Sequence, residues 1–234
     1  MPGLLIEEVP GPTPYGRALL AECGISGINC GSGKALSPGC LNVDQLSLTD
    51  SRGRVCAPGK LTRVNYESQI LYYMQHDMTL AFPFADGSFS WGYSEHFIEH
   101  VPLKHGIAWL TEMRRLIAPG GLLRVTTPDL KKYMHGYADP AELFFKLHNA
   151  KLAEMAKNPN PPPRRRAWMV NQIFHYFGHQ WIYDFDELVH AAGAAGFDPA
   201  RIAQMEYRSG LREEVSMMDS PLREDETLYV EILT

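Results

Sequence analysis

Several things are scarce in this 234-residue sequence, and each scarcity excludes something. No run approaches the ~20 consecutive apolar residues that a membrane helix needs. The opening Met1-Pro2-Gly3-Leu4-Leu5-Ile6-Glu7-Glu8 lacks the basic start and apolar continuation of a signal peptide. Cysteine is rare: Cys23, Cys30, Cys40 and Cys56 stand at irregular spacings without a C-x-x-C pair. That pattern suits reduced thiols rather than a disulfide framework or zinc cluster, and a cytoplasmic location is expected. A basic surplus is also missing. With 22 Lys+Arg against 27 Asp+Glu the net charge is −5, which argues against nucleic acid as the main partner. The one basic triplet, Arg164-Arg165-Arg166, follows Pro161-Pro162-Pro163 and reads as a solvated loop.

What is present is the material of a soluble α/β domain over residues 1–234: 45% of residues are apolar and 21% charged, enough to bury a core under a polar surface. No internal repeat is visible. Residues 13–23 suggest a short helix. Ile25 to Asn29 reads as a buried strand running into Cys30-Gly31-Ser32-Gly33. A second strand, Leu41-Asn42-Val43, ends at Asp44, and a third, Leu71 to Gln75, stops at His76-Asp77. Phe89, Trp91 and Tyr93 alternate with smaller residues, the period of a strand. Residues 106–118 change period, with Trp109 or Leu110, Met113, Leu116 and Ile117 on one helical face. Pro119-Gly120-Gly121 is expected to stop that helix before a strand at Leu122 to Thr126. Asp184 and Glu187 form a capping pattern for a late helix ending near Gly196, and β-like runs follow at Ile202 to Tyr207 and Thr227 to Leu233. Strands alternating with helices predict a mostly parallel sheet covered on both faces. Residues 130–182, rich in aromatics, histidine and methionine and broken by Asn158-Pro159-Asn160-Pro161-Pro162-Pro163, read as a helical lid inserted over the carboxyl ends of the strands, the edge where open α/β sheets bind ligands.

A strand running into Gly31-x-Gly33 lets the backbone turn tightly and offer its N–H groups to an anionic ligand, although two neighbouring glycines also mark ordinary turns. Asp44, at the end of the next strand, has the position of a carboxylate that accepts hydrogen bonds from a ribose diol. Gly31 and Asp44 are only 13 positions apart, against the ~20 of the dinucleotide fingerprint. The first crossover therefore has little room for a helix. A P-loop fails as well: it needs glycine where Ile28 stands and a hydroxyl where Ala35 stands.

Taken in order, these segments resemble the short glycine-motif branch of the class I S-adenosylmethionine-dependent methyltransferases. The resemblance runs through Ile28-Asn29-Cys30-Gly31-Ser32-Gly33, Pro38-Gly39-Cys40-Leu41-Asn42-Val43-Asp44, His76-Asp77-Met78 and Phe82-Pro83-Phe84-Ala85-Asp86-Gly87-Ser88-Phe89. It continues through Tyr93-Ser94-Glu95-His96-Phe97-Ile98-Glu99-His100 and Glu112-Met113-Arg114-Arg115-Leu116-Ile117-Ala118-Pro119-Gly120-Gly121, with a looser match at Gly178-His179-Gln180-Trp181-Ile182-Tyr183-Asp184. It implies a Rossmann-like seven-stranded sheet and S-adenosylmethionine as cofactor. It places the methionine part of that cofactor near Cys30, Gly31, Ser32 and Gly33, its ribose at Asp44, its adenine at Asp77 and Met78, and the pocket opening at Ser94 and His96. Two positions depart from the family: Asn29 where an acidic residue is usual, and Ala35 in place of the third glycine.

Three uses of such a site stay open on the sequence. One is methyl transfer to a small-molecule acceptor, with His96, His175 or His179 taking a proton. Another follows a resemblance to methyltransferase-like azetidine-2-carboxylate synthases, in which the cofactor's own amine attacks its γ-carbon and methylthioadenosine leaves. The third is cofactor binding without catalysis. In the first two, Tyr176 within His175-Tyr176-Phe177-Gly178-His179 is the expected aromatic cover for the positive sulfonium, worth ~0.5–2 kcal/mol within ~6 Å; these residues also suit an aromatic core with satisfied histidines. His96-Phe97-Ile98-Glu99-His100 matches the H-x-x-E-H spacing of some zinc peptidases, but no third ligand is apparent and no metal is expected. The oligomeric state is not legible.

Overall fold

Nine strands of four to twelve residues assemble in the computed structural model into one mixed sheet. The described residues are 4–156, 163 and 165–234, so most of the proline-rich break and Arg164 of the basic triplet lie outside them. The elements in chain order are β1 (Leu5–Glu8), α1 (Arg17–Glu22), β2 (Gly27–Cys30), β3 (Cys40–Asp44), β4 (Thr62–Tyr66), β5 (Gln69–Gln75), β6 (Phe89–Glu95), α2 (Leu103–Leu116), β7 (Ile117–Pro128), α3 (Leu130–Ala138), α4 (Leu143–Ala156), α5 (Arg166–His175), α6 (Phe185–Ala194), β8 (Ile202–Met205), α7 (Glu213–Ser216) and β9 (Thr227–Leu233). Among them no helix is long and apolar enough to cross a membrane.

The sheet order is β1-β4-β5-β3-β2-β6-β7-β9-β8. The seven expected strands form the run from β5 to β8, and the four inner pairings from β5 across to β7 are parallel. β9 joins antiparallel to β7, and β8 to β9. Two further strands correct the expected count. β4 pairs antiparallel with β5 across the tight turn Glu67-Ser68, where both residues have positive φ, and β1 pairs with β4. Their short, part-exposed segments carry too little apolar patterning to read as strands without the neighbour they pair with.

The two faces are unequally covered. Leu20 of α1, Trp109, Leu110 and Met113 of α2, and Leu188, Ala191 and Ala192 of α6 pack with Ile28, Val43, Leu123 and Val230 in one core. On the opposite face Cys40, Trp91, Tyr93 and Leu122 are covered by Val215 of the four-residue α7 and by loop residues. As the short spacing predicts, the crossover between β2 and β3 holds no helix. α2 stops at Leu116, before Pro119-Gly120-Gly121, because Ile117 already takes an extended backbone and pairs with Phe89; the Pro-Gly-Gly segment lies within β7 instead. The cap of α6 is as read: Asp184 accepts from the Glu187 amide at 2.9 Å.

α3, α4 and α5 bury Tyr133, Phe145, Leu152, Met169 and Ile173 together with Ile182 in a separate cluster. Its polar centre ties it to the chain before β9: Tyr133 donates to Glu226 at 2.6 Å, and His148 meets Asp225 at 2.9 Å. Arg166 is no loop residue. It opens α5 and pairs with Glu142 at 2.8 Å.

The segment 206–219, which carries α7, is held to the sheet by Arg124 of β7, fully buried, which donates to both carboxylate oxygens of Asp219 (2.9 and 2.6 Å) and to Glu231 on β9 (2.9 Å). A charge so buried is tolerable only while its partners remain. Replacing Asp219 by Ala is expected to destabilise the fold by about 3–5 kcal/mol, read as a lower urea midpoint; a change below about 1 kcal/mol would show that the network is dispensable.

Candidate functional site

The carboxyl ends of β2, β3 and β6 meet at a cavity of about 310 Å³ lined by Gly31, Asp44, Gln45, Met78, His96, Phe97, His100 and Val101. Its shape begins at Gly31. The residue has φ +76, and a Cβ built there would lie 2.9 Å from Cβ of Phe97. Only glycine lets the chain leave β2 so close to the corner after β6. Gly33, at φ +56, faces open space.

The turn's N–H groups are not aimed outward, contrary to the expectation from the Gly-x-Gly spacing. The amides of Gly31 and Ser32 donate to the Val43 carbonyl (2.9 and 3.1 Å), and that of Gly33 donates to Oδ2 of Asp44 (2.8 Å). What the turn offers is space beside a carboxylate. Asp44 also accepts from the Leu46 amide through Oδ1 at 3.0 Å. Each oxygen of an ionised carboxylate can accept about two hydrogen bonds, so capacity remains toward the cavity. Asp77, just past β5, is fixed by its own turn: Oδ1 accepts from the Thr79 amide and hydroxyl (2.9 and 2.7 Å) and from Gln45 (3.2 Å). These bonds hold its carboxyl below the usual range, and it stays ionised. Gln45 thereby joins the two aspartate positions, although nothing in its spacing marked it. Met78 sits in the main core and forms part of the cavity wall.

His96 turns the chain out of β6 with φ +49, uncommon for a residue with a side chain. Its side chain is 3% exposed and both ring nitrogens are occupied. Thr227 donates its hydroxyl to the Arg223 carbonyl, so its oxygen is left to accept from Nε2–H of His96 at 2.8 Å; Arg223 donates to Nδ1 at 3.0 Å. Burial and the Arg223 charge depress this imidazole to about 3. It is neutral at physiological pH, but it has no free lone pair with which to receive a proton. The network assigns that tautomer.

None of the other predicted residues lines this cavity. Ser32 Oγ and Ser94 Oγ are buried without partners. Cys30 points its sulfur into the core, 3.8 Å from Met113, so only its backbone borders the turn. His179 lies at the cavity rim through its contact with His100, their ring centroids 4.9 Å apart. Gln180 and Trp181 donate their amides to the Glu99 carbonyl (2.7 and 3.2 Å), which stitches the Gly178-to-Asp184 motif to the corner after β6. His175 is exposed in the last turn of α5. Tyr176 is half exposed, 5.6 Å from Trp168 by ring centroids, and is not part of the cavity wall. Sequence reading missed Phe97, His100, Arg223 and Thr227. The first two lie within the His96-to-His100 motif itself, whereas Arg223 and Thr227 come from more than 120 positions away and left no local signal.

Residues 28–125 match the family model described as "Methyltransferase domain". No curated protein matches the chain. Among solved structures, an S-adenosylmethionine-dependent methyltransferase from Mesorhizobium loti is 14% identical, with 90% of this chain and 91% of that one covered at a TM-score of 0.50. A chain of the complex between the Haloferax volcanii Trm112 methyltransferase activator and a methyltransferase is 12% identical, with 90% and 82% covered at a TM-score of 0.48. A methyltransferase from Thermotoga maritima, titled a possible histamine N-methyltransferase, is 12% identical, with 94% and 88% covered at 0.45.

The burial of β2 and β3 predicts their thiol chemistry. Burial pushes the thiols of Cys30 and Cys40 up to about 12, and the thiolate is the reactive form. At pH 8 only ~1 in 10⁴ of either is ionised. Titration of the native protein with a chromogenic disulfide should label part-exposed Cys23 rapidly and reach four thiols only on unfolding. Rapid labelling of Cys30 would show that the end of β2 is open.

Proposed function

We propose that this chain, which has the class I methyltransferase fold and matches the family model of a methyltransferase domain over residues 28–125, is an enzyme that binds S-adenosylmethionine at the carboxyl edge of the sheet and transfers its methyl group to a small-molecule acceptor. One observation carries this reading: Asp44, at the end of β3, borders a 310 Å³ cavity beside the Gly31-to-Gly33 turn. The residues fit the cofactor in three respects. A Cβ is absent at the two places where the turn bends, Ser32 Oγ is buried without a partner, and Met78 presents an apolar wall next to the anchored Asp77.

Asp44 would accept the ribose hydroxyls, Asp77 would face the adenine amino group, and Met78 would pack on the adenine. When bound, S-adenosylmethionine supplies an electrophilic methyl carbon on a sulfonium, and its transfer leaves S-adenosylhomocysteine. The chain's part is to align the acceptor with that bond and exclude water. Of the three histidines expected to accept a proton, His179 is the one at the rim. Burial lowers its basicity and keeps the ring neutral. The helices of residues 130–175 would form the lid, and Tyr176 would have to move inward to cover a sulfonium.

Two measurements test the reading. Pure protein incubated with S-adenosylmethionine alone should give no nucleoside product, and S-adenosylhomocysteine should accumulate once a suitable acceptor is added. Methylthioadenosine with a cyclic amino acid would replace methyl transfer by cyclisation, and binding without turnover under any condition would leave a binding protein. In calorimetry, Asp44→Ala should weaken S-adenosylmethionine binding at least tenfold, since hydrogen bonds to a charged group contribute about 1.5–3 kcal/mol. Undiminished affinity would remove Asp44 from the site.

A further inference from the structure

The His96-to-His100 corner has the H-x-x-E-H spacing, yet its first histidine is fully engaged by Arg223 and Thr227. The second half of the motif meets a partner that the sequence did not reveal. We propose that Glu99, His100 and His179 form a binding site for one divalent transition-metal ion at the rim of the cavity.

The three residues bring ligand atoms within 4.8 Å of one another. Glu99 is fully buried, and its Oε1 has no hydrogen-bond partner: it lies 3.3 Å from Nδ1 of His96, whose lone pair Arg223 occupies, and 3.9 Å from Nε2 of His100. A buried carboxylate oxygen left unsatisfied is costly, and a cation there would offset that cost. The surrounding bonds orient the donors as metal ligands are usually oriented. The other oxygen of Glu99 accepts from the Thr127 hydroxyl at 3.1 Å, and Nδ1 of His179 lies 2.6 Å from the Ile173 carbonyl, which leaves the remaining ring nitrogen its lone pair.

Two imidazoles and one carboxylate suit zinc and its neighbours rather than magnesium or calcium. A tetrahedron with ~2.1 Å bonds has edges of ~3.4 Å, so the half-buried histidines need to close inward by about an ångström while Glu99 stays fixed. The Arg223 charge does not fill the space, being directed at His96 and lying 3.6 Å from Glu226. Three protein ligands leave a coordination position open, and His100 places it on the cavity. A hydroxyl-bearing acceptor bound there would lose its proton more readily; with the free lone pair of His179 on the metal, that acidification takes the place of His179 as proton acceptor. That use rests on the methyl-transfer reading; the existence of the site does not.

The test uses the full chain stripped of metal with a chelator. Titration with Co²⁺ should produce the visible bands of tetrahedral cobalt at one equivalent, and Zn²⁺ should displace it in competition with a chromophoric chelator. His179→Ala and Glu99→Gln should each weaken binding by more than the about 10–100-fold that loss of an outer-shell partner costs. His105→Ala, on the exposed side of α2, should bind as the parent does. Thermal melting checks that each variant is folded. The absence of cobalt bands in the parent, or parent-like binding by a folded His179→Ala, would overturn the site. Cobalt binding without S-adenosylmethionine binding would keep the metal site and sink the cofactor reading, and the reverse result would do the opposite.

Discussion

The geometry of the site depends on the near-contact of two chain segments. Gly31 leaves β2 so close to Phe97 that a single methyl group would not fit between them, and both the turn and the corner after β6 are shaped by that approach. Because the turn's amides are consumed by Val43 and Asp44, it is a rigid ledge rather than an anion cradle of the kind formed at helix N-termini. The missing helix in the first crossover follows from the same economy of chain. Asp44 then has two tasks, closing the ledge and facing the cavity, and the second draws on the acceptor capacity that the first leaves unused.

Around that ledge the protein uses buried polar groups as ties between segments remote in sequence. Arg124 secures the segment 206–219, Tyr133 and His148 secure the helices after β7 to Asp225 and Glu226, and His96 is locked by Arg223 and Thr227. All three ties engage chain between β8 and the start of β9, so the C-terminal stretch braces the carboxyl edge from behind. The thin cover over Trp91 and Tyr93 on the less protected face is compatible with this arrangement, since those contacts are reinforced by a buried charge network rather than by a long helix.

How far the sequence spoke depended on whether a feature was local. The parallel strands, the helix face of Trp109, Leu110 and Met113, and the Asp184 cap were legible because burial and capping repeat on short periods. β1 and β4 were not, because an edge hairpin draws its stability from a neighbour that the chain reaches only after folding. Within the candidate site, the glycine turn and Asp44 were suggested by spacing, and Asp77 and Met78 by the family resemblance, but the direction of a side chain could not be read. Cys30 faces the core, Tyr176 faces outward, and His96 spends both nitrogens on partners far along the chain. The meeting of His179 with Glu99 and His100 was likewise invisible, since backbone bonds from Gln180 and Trp181 create it only in three dimensions.

The central claim is positional, and a crystal structure with S-adenosylhomocysteine bound tests it most directly. The account predicts the nucleoside along the carboxyl edge of the sheet, its ribose hydroxyls on Asp44 and its adenine between Met78 and Asp77, with the sulfur directed toward the rim where His100 and His179 meet. A nucleoside seated anywhere else on the molecule, or none at saturating concentration, would contradict it.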